Sequence, residues 1–108
     1  MKQSKAIKTE AALALISISG KYITAGICCL QEELRKEEPN RELVCLLCEY
    51  ISSLNRIVAY FSMLTEQAEG PVMKITPAQA IVARTNVNTF KRLKTSLVND
   101  YNVFVELN

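Results

Sequence analysis

The sequence contains no histidine and no tryptophan. Without an imidazole, the chain cannot build a Ser-His-Asp or Cys-His catalytic pair, and His-ligated metal sites are excluded. Glycine and proline number three each, and low-complexity tracts are missing. That excludes a collagen-like repeat and a disordered tail. Charge of one sign is also scarce: the formal net charge of +2 is too small to demand a nucleic-acid partner. No Gly-rich phosphate loop, G-x-S-x-G or helical E-x-x-H occurs. The carboxylates read as exposed helix residues, with none paired in an apolar setting, so no catalytic group is assigned and an enzyme is not expected.

What the chain does have is apolar side chain, 49% of its 108 residues. That suits one domain, residues 1–108, with a small core. The apolar positions recur in steps of three and four, the period of a helical face. In the first segment Ala6, Leu13, Ile16, Ile23, Ile27, Leu30 and Leu34 form one stripe, with Gly20 in register. A second stripe runs beside it through Ala11, Leu15, Ile18, Tyr22, Ala25 and Cys29. Beyond Leu30 the face narrows, and Gln31–Glu38 reads as a solvated end.

Pro39-Asn40 breaks the pattern, with Asn40 suited to cap the next helix. Leu43, Leu47, Tyr50, Leu54, Ile57, Phe61, Leu64 and Ala68 then form an unbroken seam until Gly70-Pro71. Thr76-Pro77-Ala78-Gln79 carries the signature of a capping box with proline at the first helical position. A third seam follows through Ala83, Val87, Phe90, Leu93, Leu97, Tyr101 and Phe104. The β-branched and Asn residues of Arg84–Thr89 mark a place for a kink.

The prediction is an all-α fold: an elongated three-helix bundle with helices over roughly 5–37, 40–69 and 76–105 and a linker at 70–75. The short Pro-Asn connection makes the first two helices a long antiparallel hairpin, onto which the third packs. No strand is predicted, and there is no internal repeat.

Three lysines before an apolar stretch sketch a signal peptide, but Glu10 interrupts it and no small-residue cleavage site follows. Lys21 sits at the centre of the Ala11–Leu30 stretch, where insertion into lipid costs roughly 2.5–3.5 kcal/mol. A cytoplasmic protein that does not cross a membrane is therefore expected.

The four cysteines, Cys28, Cys29, Cys45 and Cys48, all fall in helical segments. Vicinal Cys28 and Cys29 lie about 100° apart on their helix and cannot easily serve one ion. Cys45-x-x-Cys48 lacks the knuckle loop of a structural zinc site and the βαβ setting of a redox pair, and Glu42 and Glu49 oppose a thiolate. Reduced, mostly packed cysteines are expected, with no metal and no cofactor.

Two function classes remain. In the first, the second and third helices cover one stripe of the first helix, leaving Leu15, Ile18, Tyr22, Ala25 and Cys29 for a second copy or another protein. The protein is then a non-enzymatic interaction module of the adaptor, inhibitor or virus- and plasmid-encoded accessory kind, and a homodimer or larger. In the second, Arg84, Asn88, Lys91 and Arg92 of the third helix contact nucleic acid in a small regulator. The four bases Arg84, Lys91, Arg92 and Lys94 spread over about 160° of that helix, which dilutes any row tracking phosphates and places this reading second. A thiol or metal sensor using Cys45 and Cys48 ranks below both.

Overall fold

The computed structural model describes residues 5–105. The elements follow in the order β1 (Lys5–Lys8), α1 (Thr9–Leu34), α2 (Arg41–Glu66), β2 (Val72–Ile75) and α3 (Pro77–Tyr101). The protein is mostly helical, with three long helices as the periodicity predicts, and it carries in addition one small antiparallel sheet.

That sheet corrects two expectations. Residues 5–8, read as the first turn of helix one, are extended, and part of the 70–75 linker is a strand. Lys5 pairs with Ile75 and Lys8 with Val72. In β2 the side chains alternate, with Met73 and Ile75 buried and Val72 and Lys74 exposed. Thr9 fastens the sheet to the start of α1. Its N–H donates to the Pro71 carbonyl at 2.9 Å and its hydroxyl to the Gly70 carbonyl at 2.7 Å. Gly70 has φ +129°, a left-handed conformation in which glycine escapes the Cβ penalty.

Local chemistry sets the helix ends. Asn40 caps α2, its side chain accepting from the Leu43 N–H at 3.2 Å. Thr76 and Gln79 complete a reciprocal capping box at α3. Asn102, at φ 54°, closes α3 in the left-handed conformation, and the Val103 N–H returns to the Leu97 carbonyl at 2.9 Å. The helices are accordingly shorter than the apolar pattern implies: α1 stops at Leu34, α2 at Glu66 before reaching Gly70, and α3 at Tyr101. No break occurs at Arg84–Thr89, which lies inside continuous α3.

The connection after α1 holds a second surprise. Glu33, within the segment read as solvated, is buried. Its carboxylate accepts from the Asn40 N–H at 2.8 Å and pairs with Lys36 at 2.9 Å. The bond from Asn40, then that from Lys36, holds the Glu33 carboxyl below the usual range for glutamate. Glu33 thus pins the residue that caps α2 to the end of α1.

Along its length α2 packs on both α1 and α3. Its seam from Leu43 to Leu64 is buried almost without interruption, and Tyr50 has no exposed surface. From α3 come Ala80, Ala83, Leu93 and Leu97, and the sheet and C-terminal segment add Met73, Ile75 and Val105. Phe104, assigned to the third seam, lies beyond the helix and is exposed. From α1 the buried positions are Ala12, Ser19, Gly26 and Glu33, every seventh residue. The described residues extend over 55 × 27 × 17 Å, long and thin.

Candidate interaction surface

The residues buried on α1 lie between the two stripes read from the sequence, so each stripe is a flank of the contact with the rest of the chain. On one flank are the five residues assigned to a partner. The structure packs Leu15, Tyr22, Ala25 and Cys29 in part against the chain's own core, while Ile18 remains exposed. Tyr22 reaches α3, its ring 5.6 Å from that of Phe90. Lys94 lies 4.8 Å over the Tyr22 ring and donates to its hydroxyl at 3.4 Å. Burial, then Glu32 and Cys28, pushes the Cys29 thiol above its ordinary range, away from thiolate chemistry.

The other flank is more open. Leu13, Ile27 and Leu34, read as part of a single core stripe, are 52%, 41% and 53% exposed. Only Ile16, Ile23 and Leu30 of that stripe pack against the core. With Ser17, Gly20, Thr24 and Gln31, the three exposed residues make a seam of their own: 13, 17, 20, 24, 27, 31, 34. The steps alternate four and three, and no member is charged. The Thr24 hydroxyl donates to the Gly20 carbonyl at 3.2 Å, so burying this side chain would strand no donor. At the C-terminal end the seam meets α2, where Leu34, Pro39, Arg41, Val44 and Cys45 line a recess of about 320 Å³. The signal was present in the sequence as a heptad row at 13, 20, 27 and 34.

The two glycines of α1 differ in what their missing side chains do. A Cβ on Gly26 would lie 3.2 Å from side-chain atoms of both Tyr50 and Ile51. Its absence lets α1 close on α2. A Cβ on Gly20 would meet nothing within 4 Å. Glycine inside a helix costs about 1 kcal/mol relative to alanine, and at Gly20 no contact among the described residues offsets that cost.

On α3, Arg84, Asn88, Lys91 and Arg92 are all exposed. The first three share one row at steps of four and three, and Arg92 points about 100° away from Lys91. Lys94 is taken up by Tyr22. Among the described residues the only ion pair is Lys36–Glu33.

Against the expectation of mostly packed cysteines, Cys28, Cys45 and Cys48 are exposed and only Cys29 is half-buried, all as free thiols. Among the described residues no group of three or more acidic or cysteine side chains is placed to hold a metal ion. A cleft of about 360 Å³ between the end of α2 and β2 is lined by Gln67, Glu69, Lys74 and Gln79 together with apolar side chains. Tyr50 carries the one buried side-chain polar atom lacking a hydrogen-bond partner among the described residues. Desolvation, with smaller contributions from Tyr22 and Cys29, raises the Tyr50 phenol far above its ordinary range.

No family model, curated protein or solved structure matches the chain. By length and composition α1 and α2 are each apolar enough to cross a membrane, and about a third of the apolar stretch of α2 is buried inside the fold.

Proposed function

We propose that the protein is a non-enzymatic helical interaction module of the cytoplasm, an adaptor, inhibitor or accessory protein that works through the open apolar face of α1. The observation that carries this reading is the uncharged outer seam, with Leu13, Ile27 and Leu34 exposed on it. Three large apolar side chains open to solvent along one uncharged face of a single helix are what a surface covered by another molecule would present. Ile18, on the opposite flank, extends the open apolar surface to both sides of the helix.

The test is a triple variant, Leu13→Gln, Ile27→Gln and Leu34→Gln, compared with the wild type. The wild type is expected to self-associate at micromolar concentration or to bind a hydrophobic dye. The variant should keep its helical circular dichroism and lose that behaviour. A wild type that is strictly monomeric and dye-silent removes the reading.

A second reading, a nucleic-acid-binding regulator, is favoured by Arg84, Lys91 and Arg92, which are exposed and without an ion pair among the described residues. Titration with random duplex DNA at two salt concentrations decides it, because phosphate binding weakens steeply with salt.

A further inference from the structure

We propose that the open edge of β2 takes up a short extended peptide, which adds to the sheet as a third strand. The site is separate from the α1 face and does not rest on the reading above. The first support is the hydrogen-bond parity of the sheet. In an antiparallel pair, opposed residues alternate between those that exchange hydrogen bonds and those that do not. The Thr9 N–H donates to the Pro71 carbonyl, one step beyond the Lys8–Val72 pair. By alternation Ile7–Met73 and Lys5–Ile75 are bonded pairs, and the N–H and C=O groups of Val72 and Lys74 point away from β1. Among the described residues none of these four groups has a hydrogen-bond partner, and the sheet has no third strand. Such a row is a template for another chain.

The second support is the cleft of about 360 Å³ beside that edge. All four residues of β2 line it, those of both faces, and none of β1 does. A cavity that touches both faces of a strand but not its paired neighbour runs along the open edge. Leu64 and Met73, both buried, and half-buried Ala68 give it an apolar wall. Four residues of β2 at about 3.3 Å each make an edge of about 13 Å, the length of a four- or five-residue strand.

Charge complementarity selects the peptide. Ala6, Lys8, Val72 and Lys74 share the exposed face of the sheet. Both charges on that face are positive, and neither lysine has an ion-pair partner among the described residues. Glu69, the one acid lining the cleft, lies toward Gly70, at the far end of β2 from Ile75. The peptide therefore carries an acidic side chain opposite Lys74, and apolar side chains at the alternate positions that face Leu64 and Met73. A second copy is a poorer occupant, because edge-to-edge pairing would double the positive charge on one face of the joined sheet.

The experiment is amide hydrogen exchange and chemical-shift titration of the full chain by NMR, with end-capped Thr-Val-Glu-Val-Thr and Thr-Val-Lys-Val-Thr as probes. In the dilute free protein the Val72 and Lys74 amides should exchange at least about tenfold faster than that of Met73. The glutamate peptide at millimolar concentration should slow both toward the Met73 rate. The lysine peptide should bind roughly two- to fivefold more weakly, and Lys74→Glu should reverse that order. N-methylation of the peptide's glutamate removes a donor to the edge and should cost at least about tenfold in affinity. Val72→Pro removes an outward N–H without touching the ladder to β1, so it should abolish binding and leave the helical circular dichroism unchanged.

Val72 and Lys74 amides as slow as that of Met73 in the dilute free protein overturn the open edge. Protection that grows with protein concentration in the absence of peptide overturns the proposal in favour of a second copy. Binding that survives both Val72→Pro and N-methylation overturns strand addition. The triple variant Leu13→Gln, Ile27→Gln and Leu34→Gln should take up the glutamate peptide as the wild type does; loss of binding there moves the peptide to α1 and overturns the β2 site alone. No binding of either peptide overturns the β2 site and leaves the α1 reading to its own test.

Discussion

α1 and α2 are similar in length and both rich in apolar residues, yet they meet different fates. α2 packs on both α1 and α3, and its seam from Leu43 to Leu64 is buried. The buried positions of α1 are fewer and smaller, Ala12, Ser19, Gly26 and Glu33, while Leu13, Ile18, Ile27 and Leu34 stay open. An apolar stripe becomes core only where the chain supplies neighbours on both of its sides. Three helices supply two such neighbours to the middle one and leave the outer ones half-covered.

The sharpest way to break this comparison is to put the same charge on both helices. Leu54→Asp buries an unpaired carboxylate in the α2 seam and should cost roughly 4–5 kcal/mol, enough to unfold the domain. Leu13→Asp on α1 should change monomer stability by less than about 0.5 kcal/mol in urea denaturation at low concentration. Equal losses would show that α1 is as buried as α2.

A smaller effect of opposite sign is expected within the α2 core. The hydroxyl of Tyr50 is buried without a partner among the described residues, while its ring lies 5.4 Å from that of Phe90. Tyr50→Phe keeps the ring and should raise stability by about 1 kcal/mol. A loss of that size would mean the hydroxyl is satisfied.

The two glycines sharpen the contrast further. Gly20→Ala should stabilise the dilute monomer by about 0.5–1 kcal/mol through helix propensity alone. Gly26→Ala should lose about 1 kcal/mol net, because overpacking against Tyr50 and Ile51 outweighs the same gain. Thermal unfolding of the two variants under identical conditions checks the difference in sign.

The smallest effect is at the joint between the two helices. The Glu33 carboxyl is held below its ordinary range by the Asn40 N–H and by Lys36. A depressed carboxyl stabilises the fold above its unfolded pKa of about 4.3 and loses that contribution as pH falls through the lower folded value. Between about pH 5 and pH 3 the wild type should therefore lose part of an advantage over Glu33→Gln that it holds at pH 7. A gap between the two that stays constant with pH would show that the carboxylate bonds contribute nothing.

The residues that announced the fold did so through local chemistry. Asn40, the Thr76–Gln79 box and the spacing of Leu43 to Leu64 act within one or two turns, and each appears in the structure where the sequence puts it. The candidate surface was legible only in part. The apolar excess of α1 could be read, but the choice of flank could not, because Leu13 and Ile16 belong to the same stripe until α2 covers one and leaves the other open.

By itself the sequence determined three helices, their caps and the dominance of the α2 seam, because hydrogen bonds and apolar periodicity within a helix span only three or four residues. Tertiary structure alone decided the rest. Lys5 finds Ile75 across most of the chain, and neither four-residue strand carries a signal without the other. Glu33 turned from a surface acid into a buried acceptor because Asn40 folded back onto it. The outer seam of α1 stayed open because its neighbours lie on the opposite side, a fact of three-dimensional arrangement that no spacing along the chain contains.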